Sequence, residues 1–154
     1  MIYMNEGDNA PDFELVANDG STVKLSSFQG KNNVVLCFYP KNHLFACPSK
    51  RVFQMAKAII AAYPKIKEYA ELFAISVDTV QDQKKFVDEY HVPYFHLSDT
   101  QKIACKAYTG LNIAGLAKRS TFIIDRDGKI SKIFRDISPE NHGQEIISSL
   151  QNLK

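Results

Sequence analysis

A chain of 154 residues, 45% hydrophobic and 23% charged, has the make-up of one globular domain spanning residues 1–154. A net charge of +2 with no run of Lys and Arg argues against nucleic acid, and no apolar stretch approaches membrane-spanning length. The three cysteines (Cys37, Cys47 and Cys105) are too scattered for a disulfide scaffold, and Met1 to Ala10 lacks the apolar core of a secretory signal. The expectation is a reducing cytoplasm, where thiols stay free, catalytic or metal-bound.

The chain opens as loop through Asn9-Ala10-Pro11-Asp12. Phe13–Val16 and Thr22–Leu25 flank Asn18-Asp19-Gly20, which predicts a small hairpin. Ser26 to Gly30 is a short turn. Asn33 to Tyr39 is a nearly continuous apolar run, the signature of a strand buried on both faces. From Ser49 to Tyr63 the apolar residues Val52, Met55, Ile59 and Tyr63 fall at helical spacing, and Pro64 is expected to stop or kink that helix. Glu71–Val77 reads as the next strand. Asp78-Thr79 caps a helix from Val80 to Tyr90, which Pro93 ends. Tyr94–Leu97 is a short strand, Ser98-Asp99-Thr100 caps a helix to Tyr108, and Gly110 stops it. Leu111–Lys118 is loop. Arg119–Asp125 and Ile130–Phe134 form a hairpin about Asp127-Gly128, and Ser138-Pro139-Glu140 opens a last helix burying Ile146, Ile147 and Leu150. Strands alternating with helices predict an α/β fold, a mixed central sheet flanked by helices, with an N-terminal hairpin extension.

Cys47 falls just after the apolar run that ends at Tyr39-Pro40, where a new helical pattern opens with Pro48. Helix N-termini carry partial positive charge and free N–H groups, so a thiolate is favoured there. Cys47 is the candidate nucleophile. Cys37, inside an apolar strand, reads as a small core hydrophobe. Cys105 reads as core or half-buried. His43 and Cys47 suggest no metal site, because no further ligand cluster accompanies them. His91, His96 and His142 read as ordinary loop, strand and helix-start residues.

Several fragments taken together resemble the peroxiredoxins of the alkyl hydroperoxide reductase/thiol-specific antioxidant family. These are Ala10-Pro11-Asp12-Phe13, Leu25 through Lys31, Val34 through Lys41, Ile75-Ser76-Val77-Asp78, Leu97-Ser98-Asp99 and Arg119 through Asp125. The subgroup most resembled is the bacterioferritin-comigratory or peroxiredoxin Q type. The resemblance implies a thioredoxin-like fold and reduction of hydroperoxides by a peroxidatic thiolate that becomes a sulfenic acid. The family motif PxxxTxxC maps its proline onto Pro40 and its cysteine onto Cys47, and the family arginine maps onto Arg119. Arg119 would hold the thiolate charged, and Pro40 would shield it from water. The expected partners are a hydroperoxide and a thioredoxin-like or small-thiol reductant, with no cofactor and no metal. The chain would act as a monomer or homodimer.

The match is incomplete. Leu44 occupies the motif threonine position, Lys50 stands where the subgroup usually has glutamate, and Val52 replaces a resolving cysteine found in some members. A one-cysteine peroxidase resolved by an external thiol is therefore the first reading. The alternative is a peroxiredoxin-fold protein with weakened or lost peroxidase activity that serves as a redox sensor or binding module. Cys105 is a candidate resolving thiol if it lies within disulfide reach. Thioredoxin-type disulfide exchange is disfavoured, since Cys47 has no C-x-x-C partner.

Overall fold

The computed structural model describes residues 4–41 and 50–153, with the side chains of Lys50, Arg51 and Val52 excepted. The hairpin at the start forms as expected: β1 (Glu14–Ala17) pairs antiparallel with β2 (Thr22–Lys24). A 3₁₀ turn at Leu25–Phe28 leads into β3 (Asn33–Phe38). Then follow α1 (Lys50–Ile66), β4 (Ala70–Ser76), α2 (Val80–Tyr90), β5 (Phe95–Ser98), α3 (Ile103–Tyr108), β6 (Ser120–Ile124), β7 (Ile130–Phe134) and α4 (Pro139–Gln151).

The seven strands form one sheet in the order β2-β1-β5-β4-β3-β6-β7. β3, β4 and β5 are parallel, as strand–helix–strand units require, and the other neighbours are antiparallel. The N-terminal hairpin is not a detached extension. β1 pairs with β5, Val16 opposite Ser98, so the hairpin is the edge of the main sheet.

β3 sits at the centre, and its residues alternate between two cores. Val34, Leu36 and Phe38 join Phe73, Ile75, Leu97, Phe122 and the α3 residues Ala104, Cys105 and Tyr108. Val35, Cys37 and Tyr39 face the other way, into the layer formed by α1, α2 and α4 through Ile59, Phe86, Ile146 and Leu150. On the α3 face, Phe38, Tyr108 and Phe122 form a ring cluster with centroids 5.2 to 5.7 Å apart. The Tyr108 hydroxyl also donates to the carbonyl of Pro11 and so ties α3 to the N-terminal segment.

Side-chain acceptors fix the starts of α2 and α3. Thr79 accepts the N–H of Asp82 at 3.1 Å and starts α2, and His91 ends that helix in the left-handed region. The buried carboxylate of Asp99 takes the N–H of Ile103 at 3.1 Å and of Cys105 at 2.7 Å and so anchors the first turn of α3. Pro64 does not stop α1, which runs on to Ile66. The proline sits in the last turn, so its missing donor costs one hydrogen bond, and the Lys67 N–H still reaches the Tyr63 carbonyl at 2.9 Å. Burial of Ile59 and Ile66 against the sheet holds the turn together.

Candidate active site

Pro40 stands two residues beyond β3, half-buried at the carboxyl end of the central strand. Arg119, also half-buried, precedes β6. The antiparallel register of β3 and β6 sets Phe38 opposite Ser120, so Arg119 stands at the same end of the ladder as Tyr39 and Pro40, and Arg119 and Tyr39 line one pocket. The loop before Arg119 is shaped locally. Asn112 Oδ1 accepts from the N–H groups of Ala114 (2.9 Å) and Leu116 (3.1 Å), Leu111 bridges Ala117, and Thr109 accepts the Lys118 N–H. These contacts deliver Arg119 to the strand end. The third expected residue, Cys47, lies outside the described residues, as do His43, Leu44 and Pro48. Two of the three named site residues are thus brought together at the end of β3, with the Cys47 segment starting directly after Lys41. Carboxyl ends of parallel strands are where open α/β sheets place their chemistry.

The neighbouring strand ends are pinned by a buried polar network. Ser76 donates to Asp78 at 2.6 Å, and Gln83 Nε2 donates to Ser76 (3.1 Å) and to the Leu97 carbonyl (2.7 Å). These bonds fix the Gln83 amide nitrogen between β4 and β5, while Gln83 Oε1 stays buried with no partner among the described residues.

A narrow pocket of about 40 Å³ lies between α1 and the sheet. Met55, Ala56, Ile59 and Phe86 make its apolar walls, and Arg119 lines it together with Cys37, Tyr39, His96, Thr121 and His142. The pattern of residue types had not marked this polar group as a site. His96 is only 2% exposed and His142 only 1%, so neither is an ordinary surface histidine. The hydroxyl of Tyr39 lies 2.6 Å from His96 Nδ1, and the Thr121 hydroxyl lies 2.7 Å from His142 Nε2. Burial lowers the His96 pKa to about 3. Burial also lowers that of His142, and nearby Glu145 partly offsets the effect. Both rings are neutral near pH 7. Cys37 is half-buried rather than sealed in the core, and burial pushes its thiol up to about 12 despite a contact from the Thr121 hydroxyl. The signal available in the sequence was parity. Residues 35, 37 and 39 share one face of β3, and 94 and 96 share the same face of β5, so Cys37 and His96 had to point inward.

Cys105 is fully buried in the α3 core, and burial followed by the adjacent Asp99 raises its thiol pKa. It lies across the sheet from Cys37, since the two belong to opposite cores. Among the described residues no group of three His, Cys, Asp or Glu side chains could hold a metal ion. No helix among them is long and apolar enough to cross a membrane.

A thioredoxin-like sheet with an arginine and a proline at the end of its central strand defines a class, the peroxiredoxin-type folds. The comparisons name the family. The AhpC/TSA family model matches residues 6–133, and this chain belongs to that family. It is 29% identical to peroxiredoxin Bcp of Bacillus subtilis (strain 168) over 156 residues, covering 96% of this chain and 95% of that protein. It is 34% identical to the chloroplastic peroxiredoxin Q of Triticum aestivum over 154 residues, covering 97% of this chain and 68% of that protein. Among solved structures, peroxidoxin BcpB of Mycobacterium tuberculosis superposes with a TM-score of 0.84 at 29% identity, covering 99% of both chains. A PrxQ mutant of Xylella fastidiosa has the same fold, with a TM-score of 0.84 at 21% identity over 98% of both chains.

Proposed function

We propose that this chain is a thiol-dependent peroxidase that reduces hydrogen peroxide or organic hydroperoxides through Cys47. The observation that carries the reading is the position of Pro40 just beyond β3 and of Arg119 just before β6, at the same end of the β3–β6 ladder, in a chain of the AhpC/TSA family. In the proposed step the Cys47 thiolate attacks one peroxide oxygen. An S–O bond forms, the O–O bond breaks, and the distal oxygen leaves as an alkoxide or hydroxide that takes up a proton. Cys47 becomes a sulfenic acid. Arg119 supplies positive charge for the thiolate and for the developing oxyanion. Pro40 blocks water from the strand end.

An external thiol, thioredoxin-like or small, then condenses with the sulfenic acid, and a second thiol equivalent restores Cys47. Burial of Cys105 in the α3 core supports external resolution, since an internal partner there would first have to leave the core. The test is stopped-flow peroxide consumption with thioredoxin, glutaredoxin or dithiothreitol. Turnover that vanishes in Cys47→Ser supports the reading, and turnover that survives the substitution sinks it.

Leu44 favours a second reading, a scaffold with weakened activity, because leucine has no hydroxyl to donate to a thiolate. A donor to a charged partner is worth about 1–3 kcal/mol. Under this second reading Leu44→Thr raises the rate of Cys47 oxidation by roughly one to two orders of magnitude. An unchanged rate removes it.

A further inference from the structure

The pocket beneath α1 contains a second thiol with its own chemistry, independent of Cys47. Cys37 and Thr121 are directly opposite each other on β3 and β6, and both line the pocket, with the Thr121 hydroxyl favouring the charged form of the thiol. That hydroxyl is also 2.7 Å from His142 Nε2, and His142 Nδ1 lies 3.6 Å from Oε1 of Glu145. The neutral His142 ring carries one proton. With a carboxylate facing Nδ1 the proton belongs on Nδ1, which leaves Nε2 to accept from Thr121. Thr121 can then accept from the Cys37 S–H. The direction of donation is consistent from a half-buried thiol to His142, whose Nδ1 makes no hydrogen bond and only faces the charge of the half-exposed Glu145 carboxylate.

Across the pocket stands His96. Its Nδ1 lies 2.6 Å from the Tyr39 hydroxyl, and in the tautomer where the phenol donates the proton of this neutral ring is on Nε2. That nitrogen is buried and has no hydrogen-bond partner among the described residues. A buried donor without a partner is costly and rare, so the pocket is built for something that accepts a hydrogen bond.

We infer that Cys37 is a second oxidisable thiol, which reacts with hydrogen peroxide inside this pocket with His96 as oxygen-binding donor and Thr121 and His142 as its proton route. The volume of about 40 Å³ has room for a molecule of two heavy atoms, and the apolar walls of α1 and the sheet make the space narrow for an aryl hydroperoxide. In the reaction the thiol proton moves to Thr121 as the Thr121 proton moves to His142 Nε2. The sulfur attacks one peroxide oxygen, the S–O bond forms and the O–O bond breaks. The distal oxygen, hydrogen-bonded by His96 Nε2–H, leaves as hydroxide and recovers the proton from His142 through Thr121. The products are Cys37 sulfenic acid and water, with sulfur oxidised by two electrons and the peroxide reduced by two. The reaction is slow, because burial keeps the resting thiol protonated.

The test uses the full chain carrying Cys47→Ser. The protein is exposed to hydrogen peroxide or to cumene hydroperoxide, quenched, denatured and alkylated with N-ethylmaleimide, and each cysteine is read by peptide mass spectrometry. Cys37 is expected to lose its alkylatable thiol while Cys105 keeps its own. Cumene hydroperoxide is expected to oxidise Cys37 at least about tenfold more slowly, as a close-packed wall requires. Thr121→Val, of nearly the same shape, is expected to slow the reaction with hydrogen peroxide by at least about tenfold, and Thr121→Ser to restore it. Thermal melts confirm that both variants are folded, and the comparison of the two peroxides needs no variant at position 121. Oxidation of Cys37 no faster than that of Cys105, equal rates with the two peroxides, or equal rates for Thr121→Val and Thr121→Ser each overturn the inference. None of these outcomes depends on turnover at Cys47, which the assay of the unsubstituted chain reports separately.

Discussion

Replacing His96 with phenylalanine isolates the acid sensitivity that a buried neutral imidazole builds into this fold. The folded pKa of His96 is held at about 3 by burial, against an ordinary 6.5. As pH falls through 6.5 the unfolded chain takes up a proton that the folded chain refuses. Stability from this group is therefore complete above 6.5 and declines steadily towards 3. Each pH unit in that window is worth about 1.4 kcal/mol, so going from about pH 7.5 to about pH 4.5 costs about 3 kcal/mol through His96 alone. His142, lowered by burial, adds in the same direction. Phenylalanine keeps the aromatic packing against Tyr94 (centroids 5.8 Å apart) and Phe86 (5.5 Å). It abandons the Tyr39 hydrogen bond, a loss of about 1 kcal/mol that does not vary across this pH range. The assay is urea denaturation followed by far-ultraviolet circular dichroism at both pH values. The variant is expected to start less stable and to lose about 3 kcal/mol less than the unsubstituted chain on acidification, since the carboxylate contributions common to both cancel. Parallel losses in the two proteins would refute the assignment of His96 as buried and neutral.

Arg119→Met removes the cation proposed for the thiolate while keeping a long side chain. A charged contact worth about 2–3 kcal/mol in the transition state predicts a fall of roughly 30- to 150-fold in the second-order rate of Cys47 oxidation, measured by stopped-flow fluorescence. Gly143→Ala tests the closest approach of α4 to α1. A Cβ there would meet Ala62 Cβ at 2.8 Å, so the gain in helix propensity is overridden and the variant loses about 1–3 kcal/mol in chemical denaturation. Asp99→Ala strips the buried acceptor from two N–H groups of α3 and is expected to cost about 2–3 kcal/mol, with early loss of amide protection at Ile103 and Cys105 in hydrogen exchange.

The elements were legible wherever one physical signal dominated. The run Asn33–Tyr39 has no polar break inside it, so only a strand buried on both sides accommodates it, and β3 is central. Thr79 and Asp99 announced their helices because an acceptor is needed at those N-termini whatever the tertiary context. Pro64 does not stop α1, for the opposite reason. The rule against proline in a helix is a local energy, and near the end of α1 burial of Ile59 and Ile66 outweighs one lost hydrogen bond. The pocket polar groups were illegible as a set because they come from four separate elements. Cys37, His96, Thr121 and His142 lie far apart in sequence, and only the sheet register and the docking of α4 assemble them.

That register couples the two thiol environments. In β6, residues alternate between faces, so Arg119, Thr121 and Ile123 share the α1 side, and Arg119 and Thr121 line one pocket. Slipping β6 by one residue against β3 would turn all three to the α3 face at once. The cation proposed for Cys47 and the hydroxyl proposed for Cys37 are therefore not independent in origin, although they serve different atoms. The β6–β7 turn is fixed by its own bonds: Asp125 Oδ1 accepts from the N–H groups of Asp127 (2.9 Å) and Lys129 (3.0 Å), and Gly128 turns the chain at φ +78°. A side chain at position 128 would be strained in that conformation and would also meet Gln29 at 3.3 Å. A substitution at position 128 thus acts first on the β6–β7 hairpin and on the Gln29 side chain packed against it.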